Sequence, residues 1–251
     1  MAKPLVALQL YSLREDCPKD FPGVLKKVAK MGYAGVEFAG YHGLPAAELR
    51  NILDDLGLKV AGTHLGVDSL LGAEFRKTLD FNIELGNRYL IIPGLPVDYT
   101  SSIDAWKRTA EVFNRIAEQL APHGMFTGYH NHDTEFKLVE GHKPIEVFLA
   151  NTESRVCFQA DNGNAAHGGG DVVPYIEHFW GRARTVHLKE FAKANPKALI
   201  GEGDTDWPRL FKACETVGGT EWYIVEQESY PVTPLESVAT CLKNLRGMGR
   251  G

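Results

Sequence analysis

Residues 128–136 read GYHNHDTEF, and four of them, His130, His132, Asp133 and Glu135, carry groups that bind protons or divalent cations. Three later stretches bring similar side chains to the end of an apolar run. CFQADNGN (157–164) carries Gln159 and Asp161, TVHLKE (185–190) carries His187 and Lys189, and WYIVEQE (222–228) carries Glu226 and Glu228. Imidazole and carboxylate without cysteine suit Mn²⁺, Zn²⁺, Co²⁺ or Mg²⁺ better than a soft, thiophilic ion. Asp161, His187 and Glu226, completed by one donor from the 128–136 stretch, make a candidate mononuclear metal site. His130 is the favoured fourth ligand. His132 has the same strand parity, and its other roles would be to bind substrate or to fix its neighbour's tautomer. Glu135 lies on the following loop, where it either reaches the pocket or is a solvated charge.

These residues need elements that bring them together. Apolar, β-rich runs occupy 5–10, 35–38, 59–64, 89–92, 125–130, 156–160, 185–188 and 222–226. Between them lie stretches such as AAELRNILDDLG and WKRTAEVFNRIAEQLAPHG, whose apolar residues recur at three and four and whose ends carry Gly or Pro. Strands that alternate with helices require parallel pairing with the helices outside, and eight such units favour closure into an α/β (β/α)8 TIM barrel. No GxGxxG follows the first strand, so a doubly wound nucleotide-binding sheet is the weaker alternative. Nothing in the composition divides the chain, so residues 1–251 read as a single domain. In such barrels the chemistry sits at the C-terminal ends of the strands. His64, Glu37, Gln9 and Tyr11 then join the later residues on one rim. HGGGD (167–171) reads as a flexible loop leading into a helix N-cap, and Trp106, Trp180 and Trp207 read as core residues.

The totals narrow the class. With 251 residues the chain buries enough surface to fold without disulfides or a structural metal. A net charge of −5 and a pI near 6.0, with scattered Lys and Arg, give no general attraction to nucleic acid or anionic lipid. The four cysteines are far apart, as expected for reduced thiols in a cytoplasmic protein. No apolar run approaches a membrane span or a signal peptide. A small molecule is the expected partner, and a homo-oligomer stays open.

The strings LQLYSLR (8–14), YHNHDTEF, DNGN (161–164), HLKE, GEGDTDW (201–207) and EQE together resemble the sugar phosphate isomerase/epimerase group of the xylose isomerase-like TIM barrels. That superfamily also includes endonuclease IV type nucleases, inosose dehydratases and ketose 3-epimerases. The ketose epimerase branch implies one divalent metal held by Glu, Asp, His and Glu from strands five to eight. Asp161, His187 and Glu226 match the last three. The first has no counterpart, because residues 130–132 are His-Asn-His, and Asn164 stands where that branch has a histidine. Both departures argue against a simple ketose 3-epimerase.

The resemblance implies proton abstraction beside a carbonyl, with the resulting enediolate stabilised by the cation. Glu226 and one of Glu135, His130 or His132 are the candidate base and acid, and Lys189 and His64 are candidate orienting donors. Glu37, His64, Asn164 and Glu202 are candidates for holding the sugar. The expected activity is isomerisation or epimerisation of a sugar or keto-sugar. Its main rival is elimination from the same enolate, as in an inosose dehydratase-like or 3-keto-glycoside lyase reaction. A nuclease and a non-catalytic sugar-binding barrel are the remaining readings.

Overall fold

Strands buried on both faces hold the chain together. The computed structural model describes residues 3–251. Its strands are β1 (Leu5–Gln9), β2 (Gly35–Phe38), β3 (Lys59–His64), β4 (Tyr89–Ile92), β5 (Phe126–His130), β6 (Cys157–Asp161), β7 (Thr185–Leu188) and β8 (Trp222–Val225). All eight pair in parallel in chain order, and β8 returns to β1 to close the barrel. β2, β4, β6, β7 and β8 are buried throughout, as a parallel sheet covered by helices should be.

The helices are α1 (Phe21–Met31), α2 (Ala46–Leu56), α3 (Glu74–Leu85), α4 (Val97–Thr100), α5 (Ile103–Leu120), α6 (Pro144–Asn151), α7 (Asn162–His167), α8 (Val173–His178), α9 (Trp207–Ala213) and α10 (Pro234–Gly247). Their ends follow the local chemistry. Asp20 and Ser102 cap the first turns of α1 and α5, and α10 starts with a capping box between Thr233 and Glu236. α3 stops at Gly86, whose φ of 77° belongs to the left-handed region that glycine enters without strain.

Two cores result. The larger lies between sheet and helices. The smaller fills the barrel floor with Ala7, Ala61, Tyr89, Ile91, Cys157, Trp222 and Ile224. One layer above that apolar floor, the inward positions turn polar, and the site begins there. Two glycines of the HGGGD segment are set by close packing. A side chain at Gly168 would strike the Asp133 carbonyl, and one at Gly170 the Phe136 ring, whereas Gly169 between them faces open space at a φ of 72°. Trp106 and Trp207 are buried as expected, but Trp180 is exposed. α8 ends two residues before Trp180, which falls in the following turn instead of on a helical face. All four cysteines are free and buried, and no helix among the described residues is long and apolar enough to cross a membrane.

Candidate metal centre

Glu37 sits at the centre of the polar layer with no exposed surface. Its Oε2 accepts from Gln9 Nε2 at 2.7 Å and from His187 Nε2 at 2.6 Å, and its Oε1 accepts from Gln159 Nε2 at 2.7 Å. Burial alone would raise this carboxyl, but His64 and His187, with bonds from His187 and Gln159, hold it below its ordinary value. An ionised carboxylate only accepts, so its partners must donate. Gln159 therefore turns its amide nitrogen to Glu37 and its Oε1 to two histidines, His64 Nε2 at 2.7 Å and His130 Nδ1 at 3.0 Å. This assigns the proton of His130 to Nδ1 and leaves Nε2 as a lone pair. His187 likewise spends Nε2–H on Glu37 and turns Nδ1 the other way.

The freed nitrogens point to one place. His130 Nε2 lies 3.8 Å from Asp161 Oδ2, and His187 Nδ1 lies 3.9 Å from Asp161 Oδ2 and 3.2 Å from Glu226 Oε2. One ligand atom from each of His130, Asp161, His187 and Glu226 lies within 4.8 Å of the others. Asp161 Oδ2 is buried and accepts no hydrogen bond, although the Lys189 ammonium 3.3 Å away offsets its charge. The donor set, with one buried carboxylate oxygen free of hydrogen bonds, fits a divalent cation of the Mn²⁺, Zn²⁺, Co²⁺ or Mg²⁺ type.

The local charges set which donors are free and which a cation must take from a proton. Burial and the neighbouring His187 and His64 push His130 well below its usual range and keep it neutral, as a ligand must be. Burial would also lower His187, but the Glu37 charge and bonds to Glu226 and Glu37 push it up to about 10. Burial and the nearby Glu226 raise Asp161 against the pull of Lys189 and His187. Burial would raise Glu226 too, yet Lys189 and His187 hold it well below its ordinary value. Lys189 Nζ stands 3.0 Å from Glu226 Oε2 and 3.3 Å from Asp161 Oδ2, and also contacts Asn164 Oδ1 and Glu228.

Above these groups opens a cavity of about 620 Å³, walled on its polar side by His64, His130, His132, Asn164, Glu226 and Glu228. The family model for the xylose isomerase-like TIM barrel matches residues 25–246. The chain belongs to the xylose isomerase-like TIM barrel family. A sugar phosphate isomerase/epimerase from Parabacteroides distasonis superposes with a TM-score of 0.84 at 29% identity, over 98% of this chain and 94% of that one. An inosose dehydratase from Erwinia tasmaniensis is 23% identical over 250 residues, covering 84% of this chain and 83% of its own length. The IOLI protein, solved with a binding zinc atom, shares the fold with a TM-score of 0.75 at 13% identity, over 96% of this chain and 97% of that one.

In this xylose isomerase-like barrel the expected residues divide. His130, Asp161, His187, Glu226, Lys189, His64 and Asn164 come together. His132 follows β5 on the loop, where its exposed ring stands 5.1 Å from that of His130 and lines the cavity. Three residues lie elsewhere. Glu135 turns away from the metal cluster, and its carboxylate accepts from Tyr129 Oη, Thr134 Oγ1 and His132 N, tying down the loop. Glu37 lies beneath the cavity and orients His187. Glu202 is exposed on the loop after β7 and accepts from Leu199 N. Its neighbour in the fold, Glu190, is the buried carboxylate of that loop, accepting from Gly201 N, Thr205 N and Trp207 Nε1.

Three amides had been given no role. Gln159 sets two histidine tautomers. Asn131 exchanges two bonds with the Asp161 backbone, at 2.9 and 3.0 Å, and Asn162 does the same with the Lys189 backbone, at 2.8 and 3.2 Å. For the two asparagines a sequence signal was present: an amide stands directly after His130 at the end of β5 and after Asp161 at the end of β6.

Proposed function

We propose that the protein is a divalent-metal-dependent enzyme that takes a proton from the carbon beside a carbonyl in a sugar or keto-sugar. The convergence of His130 Nε2, Asp161 Oδ2, His187 Nδ1 and Glu226 Oε2 beneath the cavity carries this reading. A divalent cation held by these four would polarise the substrate carbonyl as a Lewis acid. Glu226 is ionised and lines the cavity, so it is the group placed to take the proton. Lys189 fixes the position and charge of Glu226. His64 gives Nε2–H to Gln159, which leaves Nδ1 to accept from a sugar hydroxyl. Asn164 lines the same space, its Oδ1 accepting from Lys189 and its Nδ2 donating to Asn131 O.

Two outcomes share this step. Isomerisation or epimerisation returns the proton to the substrate, and elimination expels a β-substituent. With Glu135 turned away, the cavity lining offers His64 and His132 and, besides Glu226, only Glu228 as a carboxylate, unlike the ketose epimerase pattern. Histidine shuttles protons well near neutral pH, which favours elimination. The likeness to inosose dehydratases supports the same outcome. The net charge of −5 disfavours nucleic acid as the substrate.

Keto-sugars and inososes incubated with Mn²⁺-loaded protein in D₂O test this. Elimination gives loss of water or aglycone, isomerisation gives deuterium incorporation at constant composition, and Glu226→Gln should suppress either. A panel showing neither exchange nor loss would overturn the proposal.

A further inference from the structure

A second cavity of about 330 Å³ adjoins the first, and Gly94 and His132 belong to the walls of both. Its remaining wall is mostly apolar, from Leu95, Trp106, Tyr129, Val139 and Pro144. The loop carrying α4 and the tight hairpin in which Val139 pairs with His142 frame it. No Lys or Arg lines it, and its one carboxylate, Glu135, already accepts three hydrogen bonds. A phosphate or carboxylate placed there would face Glu135 with no cation to offset the repulsion. An apolar ring would need nothing more, since a cavity of about 150 Å³ already admits benzene. On the same two loops Val97 and Leu138 are 71% and 68% exposed, so the apolar character extends outward.

We infer that this annex is a subsite for an uncharged, ring-sized apolar substituent carried by the sugar. The sugar ring occupies the cavity above the metal centre, the substituent lies between Leu95 and Val139 over the buried Trp106 and Tyr129, and His132 flanks the link between them. The substrate class is thereby a glycoside with an aromatic or similarly apolar aglycone, as opposed to a free or phosphorylated sugar. This rests on the sugar reading of the main cavity, but its test reads binding alone and needs no turnover, so it fails independently of the D₂O assay.

The test compares, by calorimetric titration of metal-loaded protein, methyl and 4-nitrophenyl β-glycosides of glucose, galactose and xylose. In at least one pair the nitrophenyl glycoside should bind about tenfold or more tightly, from burial of the ring. Filling the annex by Val139→Trp, or independently by Thr100→Trp, should reduce that ratio to about two or less. Equal affinities in every pair, absence of binding by all of them, or a preference that survives both substitutions overturns the inference. Sedimentation showing a dimer that both variants dissociate would also overturn it, by giving the annex to a second copy of the chain.

Discussion

His187 is held between two carboxylates, with Nε2 2.6 Å from Glu37 and Nδ1 3.2 Å from Glu226. Burial works against its charge, and the two carboxylates outweigh burial and push it up to about 10. A histidine raised in the folded state contributes stability that is complete below its unfolded value near 6.5 and is lost as pH rises through the folded one. Metal-free protein should therefore lose stability steadily between about pH 6.5 and 10, seen as a falling urea midpoint. A divalent cation competes for the same lone pair, so its affinity should rise across that window by up to about tenfold per pH unit, measured by calorimetry. Glu37→Gln removes one of the two charges and leaves a single neutral oxygen for the three donors that meet Glu37, so the ring is held less firmly. It should flatten both dependences and weaken metal binding by about 10–100-fold. A variant that binds metal as the wild type does would show that Glu37 is only filling space.

The elements bring these side chains to one rim, and amides extend the strand pairing past the last regular residue. Asn131 ties the end of β5 to Asp161, and Asn162 ties the end of β6 to Lys189. Each side chain completes two buried backbone groups that would otherwise be orphaned. Asn131→Ala or Asn162→Ala should each cost about 1–3 kcal/mol, measured by urea denaturation, and Asn131→Ala should also weaken metal binding because it frees the backbone of a ligand. The eight strands were legible because burial on both faces writes continuous apolar runs, and each observed strand falls within one residue of its expected bounds. Asp161, His187 and Glu226 were legible because closure in chain order forces the ends of β6, β7 and β8 together. The pairing of β2 with β3 shifts between Val36 and Glu37, and strand spacing gave no sign that Glu37 would lie beneath the cavity instead of on its rim. The inward or outward turn of Glu135 depends on the short 3-10 turn at Thr134–Phe136, and a loop carboxylate five positions past a strand carries no periodicity to reveal it.

Across the whole molecule the two ends of the barrel are built for different tasks. The floor is closed by packed apolar side chains, and helix ends nearby are capped by arginines. Arg50 donates to Leu85 O, Arg246 to Gly32 O, and the buried Arg182 to Leu149 O and Val156 O. The mouth instead crowds Glu37, Asp161, Glu226 and Glu228 around Lys189 and His187. Since the cores lie outside the metal cluster, chelation should leave a protein that still unfolds cooperatively; loss of cooperativity would make the metal structural. A cation at 100 times its dissociation constant should add about 2.7 kcal/mol, a rise of roughly 5–10 °C in Tm. Lys189 sets the size of that increment. Its ammonium contacts two proposed ligands, Asp161 and Glu226, so it stabilises the metal-free site and opposes an incoming cation. Lys189→Met should lower the Tm of metal-free protein, because two buried carboxylates then lack a counter-charge. The same variant should gain more than the wild type when Mn²⁺ is added, because the metal supplies the charge that was removed. Calorimetric melting of both proteins with and without Mn²⁺ decides the point, and an equal or smaller gain in the variant would mean that the cation does not bind among these carboxylates.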